Sequence, residues 1–226
     1  MSINIVDKID DRVKIKTVLA SVSDKKNLDF LIPELININP EIRIISTGGT
    51  YNRIKEIIGE KSITCISKVS EYTGQPETQG GLVKTLDFKI YLGLLTETYN
   101  TSHQKDMERT GAFNIDMVVV NLYPFQDTVK KEDVTVEKAR GNIDIGGPCM
   151  IRSAAKNFLR VAPVVDPSDY ENIIDEMKTG KGSITLGLRF RLAQKAFEHI
   201  AVYDRAIADF LSSQSFENVA KCYNRS

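Results

Sequence analysis

Met117-Val118-Val119-Val120 is apolar at every position. A strand of this kind offers water no polar face, so it belongs in a sheet covered on both sides. The pattern repeats outward from it. Towards the N-terminus, Lys16–Ser21 reads as a strand, and Asp24–Ile36 places Leu28, Phe30, Leu31 and Leu35 at helical spacing. Ile42–Ile45 and Ser62–Ile66 read as short strands flanking a helical Tyr51–Ile58, whose Ile54, Ile57 and Ile58 share one side. A helix is expected around Ser102–Arg109. Towards the C-terminus, Gly147–Phe158 reads as a helix, Val161–Val165 as a strand and Ser168–Met177 as a helix. Thr185–Leu211 is a long helical segment with apolar positions from Leu188 through Phe210. Strands alternating with helices predict an α/β protein: a three-layer α/β/α sandwich with a mainly parallel central sheet, followed by C-terminal helices.

Composition removes several classes of function. The chain has 226 residues, with 30 Lys plus Arg against 30 Asp plus Glu. A balanced charge supplies no global field for nucleic acid or an anionic membrane, so an anionic ligand must be held by a local site. No apolar run approaches the length of a membrane span, and the mixed charges of Asp7–Arg12 do not make a signal peptide. Cys65, Cys149 and Cys222 are far apart with no CxxC spacing, and His103 and His199 are the only histidines. The expectation is a cytoplasmic protein with idle thiols, no metal and no cofactor.

In a parallel α/β sheet, ligands gather beyond the carboxyl ends of the strands, where loops feed helix N-termini. Ser46-Thr47-Gly48-Gly49-Thr50 stands at such a junction. Its adjacent glycines let backbone amides approach an oxyanion, and the helix start favours negative charge; a plain turn with a Thr N-cap fits equally well. Ser21-Val22-Ser23-Asp24-Lys25 occupies the matching place after the first strand. There Ser23 serves as a cap and Lys25 as a solvated lysine, or both meet a phosphate. Gly80-Gly81-Leu82-Val83-Lys84-Thr85 adds one lysine and one hydroxyl. After the most apolar strand, Pro124 fixes a turn that would aim Tyr123 outwards from Asn121-Leu122-Tyr123-Pro124-Phe125. Asn142-Ile143-Asp144-Ile145-Gly146-Gly147-Pro148 opens a helix bearing Arg152 and Lys156. Asp144 has an ordinary reading as a helix-start carboxylate, and Lys156 as a surface lysine.

Taken together and in this order, the stretches SVSDK (21–25), STGGT (46–50), VSEYTGQPE (69–77), VVNLYPF (119–125), NIDIGGP (142–148) and RSAAKN (152–157) resemble the cyclohydrolase half of AICAR transformylase/IMP cyclohydrolase. VVDPSDY (164–170) and LAQKAFEHIAVYDRAI (192–207) extend the resemblance over about residues 16–212. It implies a methylglyoxal-synthase-like core over 16–165 and a helical part over 166–212, between an N-terminal extension (1–15) and a tail (213–226). It also implies that Ser23, Asp24, Lys25, Thr47, Gly48, Gly49 and Thr50 meet the phosphate and ribose of a nucleotide substrate. Further contacts fall on Lys84, Thr85, Asn121, Asp144, Ile145, Gly146 and Arg152. The family's catalytic positions fall on Lys84, Tyr123, Asp144 and Lys156, with Lys84 and Tyr123 facing the developing oxyanion and an Asp144/Lys156 pair handling the proton. Family membership further implies a homodimer and, with no transformylase segment matched, formylation by a separate formyltransferase.

The resemblance has departures. Where the family reads DGRVKTLHPKVHGG, this chain has Leu82 for Arg, Asp87 and Tyr91 for two histidines, and Phe88 for Pro. Phe158 stands for the histidine after AAKN, and Gly141 for a glutamate. An apolar Leu cannot replace a fork of guanidinium donors, so the wall beside Lys84 is expected to be more apolar and the substrate to be the standard ribotide or a modified relative. The third alternative, a non-catalytic nucleotide-binding protein, would not require all of Lys84, Tyr123, Asp144 and Lys156. Leu82→Arg tests the wall. In an assay following IMP absorbance, a wall that has drifted around an unchanged substrate gains turnover, and a wall reshaped for another substrate gains none.

Overall fold

The structure, a computed structural model, describes residues 5–59, 65–76, 78 and 83–224. Five strands form a wholly parallel sheet in the order β4-β3-β2-β5-β6. They are β2 (Thr17–Val22), β3 (Arg43–Ser46), β4 (Ile66–Lys68), β5 (Met117–Asn121) and β6 (Ala162–Val164). Alternate residues of each strand enter different cores, as a strand's two-residue period requires. Val18, Ala20, Val22, Met117 and Val119 pack on one face with α1 (Leu28–Ile38), α2 (Gly48–Ile58) and α9 (Tyr170–Thr179). Leu19, Val118 and Val120 pack on the other with α4 (Phe88–Leu95), α8 (Gly146–Lys156) and α10 (Leu186–Ser212). The expected three layers and parallel sheet are therefore present.

The long C-terminal helix also forms, one residue displaced from the expected Thr185–Leu211, because Thr185 stays outside it as the N-cap and its hydroxyl accepts from the Leu188 amide at 3.3 Å. Between these elements lie α3 (Val69–Thr73), α5 (Thr101–Thr110), α6 (Phe125–Val129) and α7 (Val136–Gly141), with α11 (Phe216–Ala220) last. The expected strand over Ser62–Ile66 is observed at Ile66–Lys68, and residues 60–64 lie outside the described residues.

Two features have no forerunner in the strand–helix alternation. β1 (Arg12–Lys14) pairs antiparallel with β7 (Ser183–Thr185) as a separate ribbon. Fully buried Arg189 then donates to the carbonyls of Asp10, Asp11, Phe158, Leu159 and Ile184, joining the ribbon to the end of α8. Second, Asp116 and Arg160 form a buried pair at the amino ends of the central strands, 3.3 Å apart. Asp116 Oδ2 accepts from the Lys16 and Thr17 amides at 2.9 Å each. The Arg160 guanidinium also donates to the carbonyls of Gly93, Leu94, Thr96 and Ile115. Register follows: Ala20 stands opposite Ser46 and Val22 opposite Asn121, so three strands deliver their loops at one edge.

Removing one member of a buried pair strands the other charge, at a typical cost of about 3–5 kcal/mol. Arg160→Ala should lower the unfolding free energy by that order in urea titrations, whereas the exposed Arg109→Ala should change it by less than about 0.5 kcal/mol.

Candidate functional site

A cleft of about 530 Å³ opens at this carboxyl edge. It is bounded by the loop after β2, the β3–α2 turn, residues 83–86, the loop after β5, and the approach to α8. Of the residues singled out from sequence, Ser23, Lys25, Thr47, Gly48, Gly49, Thr50, Lys84, Thr85, Asn121, Tyr123, Asp144, Ile145 and Gly146 line it. Asp24, Arg152 and Lys156 do not.

The α2 start is built to leave its amides available. Thr47 is the N-cap in extended conformation, yet its side chain makes no capping hydrogen bond. Its hydroxyl instead pairs with the Ser21 hydroxyl at 2.8 Å. The Thr-capped turn is therefore not what the sequence encodes, and the amides of the first turn face the cleft without a side-chain cap. Two lysines stand beside them. A methyl placed on Gly48 would lie 3.9 Å from Lys84 Nζ, and one on Gly49 would lie 4.0 Å from Lys25 Cε. Amides, helix dipole and the Lys84 ammonium converging on a diglycine form an oxyanion seat, flanked by the Lys25 stem, whose Nζ donates to the Val22 and Ser23 carbonyls at 3.4 and 3.2 Å.

Other members of the set hold the loops. The Thr50 hydroxyl accepts from the Val22 amide at 3.0 Å and donates to the Val22 carbonyl at 3.1 Å, so it is spent on β2 and not offered to a ligand. Asn121 Oδ1 accepts from the Ser23 and Asp24 amides at 2.6 and 2.9 Å, and its Nδ2 donates to the Asp24 carbonyl at 2.8 Å. That clamp fixes the loop from which Lys25 rises. Ser23 caps no helix, since α1 begins after Asn27, a residue in the left-handed region at φ 60°. The Asp24 carboxylate accepts from the Lys26 amide at 3.0 Å, which turns it away from the cleft.

Across the cleft, Asp144 Oδ1 accepts from the Gly147 amide at 2.9 Å. The helix-start reading is thus correct, and it positions the carboxylate in the wall. Burial pushes the Asp144 carboxyl up, with the Gly147 and Gly146 amides opposing. Both glycines are dictated by close approach. A Cβ at Gly146 would meet Thr85 Oγ1 at 2.4 Å, and one at Gly147 would meet Asp144 Oδ2 at 2.5 Å. Tyr203 of α10, which the sequence reading missed, is buried with its hydroxyl accepting from the Asp144 amide at 2.7 Å. Its ring packs edge-on to Phe125 at 6.2 Å. The only signal in the sequence was its place on the buried stripe of a long helix. Tyr123 is half exposed at the cleft mouth, as Pro124 suggested.

The Asp144/Lys156 pair is not formed within one chain. α8 runs from the cleft towards the amino edge, where β6 begins, and its 11 residues span about 16 Å. Lys156 lies exposed in the last turn, and Arg152, also exposed, sits over the Phe197 ring at 5.9 Å. The departures also find new places. Asp87 is the N-cap of α4, accepting from the Lys89 amide at 2.8 Å, and Phe88 follows it as an exposed first residue. Tyr91 packs behind the cleft wall, and Phe158 lies against Phe190 at 5.2 Å. None of these four lines the cleft, so they do not make its wall more apolar, whereas Gly141 does line it. Leu82 lies outside the described residues. Among the described residues no cluster of His, Cys, Asp and Glu could hold a metal ion, and no helix is long and apolar enough to cross a membrane.

Comparison with known proteins agrees with this architecture. The MGS-like domain model matches residues 30–149, and the AICARFT/IMPCHase bienzyme model matches residues 154–226. The bifunctional purine biosynthesis protein PurH of Bacillus subtilis (strain 168) is 46% identical over 88% of this chain and 37% of its own length. PurH of Prochlorococcus marinus (strain NATL2A) is 47% identical over 87% of this chain and 36% of its own. The chain thus spans just over a third of the length of these relatives. The crystal structure of ForH superposes with a TM-score of 0.73 at 31% identity, covering 86% of this chain and 98% of that one. The chain belongs to the MGS-like domain family, in the form shared with the AICARFT/IMPCHase bienzyme.

Proposed function

We propose that the chain is an IMP cyclohydrolase, closing 5-formamidoimidazole-4-carboxamide ribotide to IMP with loss of water. The observation that carries this reading is the meeting, in one cleft, of the lysine-flanked α2 start with Tyr123 and the Asp144 carboxylate. The phosphate sits on the amides of Gly48–Thr50 with Lys25 beside it, and the base reaches across towards Asp144. The carboxamide nitrogen attacks the formyl carbon, a C–N bond forms, and charge develops on the formyl oxygen. The Lys84 ammonium and the Tyr123 hydroxyl meet that oxygen. Asp144 takes a proton from the attacking nitrogen, and the formyl oxygen is protonated to a hydroxyl. That hydroxyl leaves as water with the proton held by Asp144, while the formamido nitrogen gives up its own proton and the C=N bond of the ring forms. Holding formyl and carboxamide groups in one plane is worth up to about 7–11 kcal/mol by itself.

Four of the departures, Asp87, Phe88, Tyr91 and Phe158, stand outside the cleft, which supports the standard ribotide, while Gly141 stands in its wall. Cytoplasmic chemistry on a soluble nucleotide, a homodimer, and a separate formyltransferase supplying the substrate belong to the same reading.

Purified chain given the formylated ribotide should generate IMP absorbance; no IMP at any enzyme concentration refutes the assignment. Lys84→Ala should damage both KM and kcat. Asp144→Asn should lower kcat by about 10²- to 10⁴-fold with KM nearly unchanged. Because burial raises the Asp144 carboxyl and the carboxylate is the working form, kcat should fall on acidification from above the ordinary carboxylate range, and Asp144→Asn should abolish that limb. Lys156→Ala separates two arrangements. Turnover is unchanged if Asp144 is the sole base, and lost if a second copy brings its lysine to the cleft, in which case light scattering must read twice the chain's mass.

A further inference from the structure

The opposite edge of the sheet carries a second cleft, of about 450 Å³, that the ring-closure chemistry does not use. Its walls come from β1, the start of β2, the start of β3 and the residues leading into β5. Besides Arg160, four cationic residues line it, Arg12, Lys14, Lys16 and Arg43, with the Arg12 guanidinium reaching back to Gly180 at the end of α9. Among the described residues none of the four is in an ion pair. Four carboxylate or guanidinium groups also reach this cleft and offset one another differently. Asp116 and Arg160 neutralise each other at its floor. Asp10 accepts from the Tyr99 hydroxyl at 2.7 Å, and the Tyr99 ring in turn holds the Lys8 ammonium 4.2 Å from its centroid. Glu41 is the remaining anion. The lining is therefore cationic in excess, in a chain whose total charge is zero.

Such an excess of exposed cations in a concave wall focuses a positive field that attracts an anion. The fold fixes these cations in place. Pairing of β1 with β7 holds Arg12 and Lys14 in register. The Asp116 carboxylate binds the Lys16 amide, and the Arg43 guanidinium lies over the Phe113 ring at 4.1 Å. A guanidinium stacked on a ring keeps its in-plane donors directed outward for a planar or tetrahedral oxyanion.

We propose that this amino-edge cleft binds a small polyanion, a phosphate-bearing metabolite of at least two negative charges and up to mononucleotide size. The size follows from the cleft volume, which lies within the ordinary range for small-ligand pockets. The charge follows from the excess of cations. The site is distinct from the ring-closure cleft because it lies at the other ends of the same strands: Lys16 precedes β2 and Arg43 opens β3, whereas Ser23, Lys25 and Thr47 follow them.

The test is a titration of ¹⁵N-labelled full chain with inorganic tripolyphosphate, read residue by residue. Saturable shifts are expected at the amides of residues 12–17 and 43, separately from any shifts at 21–25 and 47–50. Lys16→Gln/Arg43→Gln should weaken the amino-edge response by about tenfold or more while leaving the carboxyl-edge response and the dispersed folded spectrum intact. Both residues are exposed, so the double variant should fold. Shifts confined to 21–25 and 47–50 in the unaltered chain, or an amino-edge response undiminished in the double variant, would overturn the proposal. Neither result bears on ring closure, which the IMP assay reads independently.

Discussion

The buried contact between Asp116 and Arg160 fixes the frame on which everything else is hung. Burial pushes the Asp116 carboxyl up and the Arg160 guanidinium down, so both groups are driven towards neutrality by desolvation and held charged by each other and by their hydrogen bonds. A pair of this kind adds little net stability compared with apolar side chains of equal size. What it specifies is position. One carboxylate reads the amides that begin β2, and one guanidinium reads carbonyls around the end of α4 and the start of β5. With the amino ends set, the parallel register carries the alignment to the carboxyl ends.

At those carboxyl ends, polar groups divide into those consumed by the protein and those left for a ligand. Thr50, Asn121 and the Ser21–Thr47 hydroxyl pair are consumed, and they make the loops rigid. The α2 amides, Lys84 and Tyr123 are left over, while Lys25 is partly spent on the Val22 and Ser23 carbonyls. Asp144 does both, with one oxygen tied to Gly147 and its backbone amide tied to Tyr203. Preorganisation of this sort is what makes electrostatic stabilisation effective, since no dipole must turn during the reaction.

The central sheet was legible because a residue such as Val119 has no polar neighbour with which to build a solvent-facing strand. The cleft was legible because strand–loop–helix junctions in parallel sheets gather at one edge. Other features depend on distance through space, which spacing along the chain does not encode. The three turns of α8 that separate Asp144 from Lys156 look short in sequence and cross the whole sheet in the fold. Asp87 looks like a lost pocket histidine and proves to be the cap that starts α4. β1 is a three-residue strand whose partner lies about 170 residues away, and Tyr203 reaches Asp144 from a helix whose pattern announces only burial.

The contacts of Arg189 also set an order of events during synthesis. Its guanidinium takes the carbonyls of Asp10 and Asp11 across separations of 179 and 178 residues. Residues 10–14 leave the ribosome well before Arg189 and are therefore among the last to be secured, since β7 and α10 must emerge before β1 has a partner. Until then the edge of Arg12–Lys14 is an unpaired strand, and its alternating charges, Arg12 and Lys14 around Val13, are the kind of sequence that discourages pairing with a foreign chain.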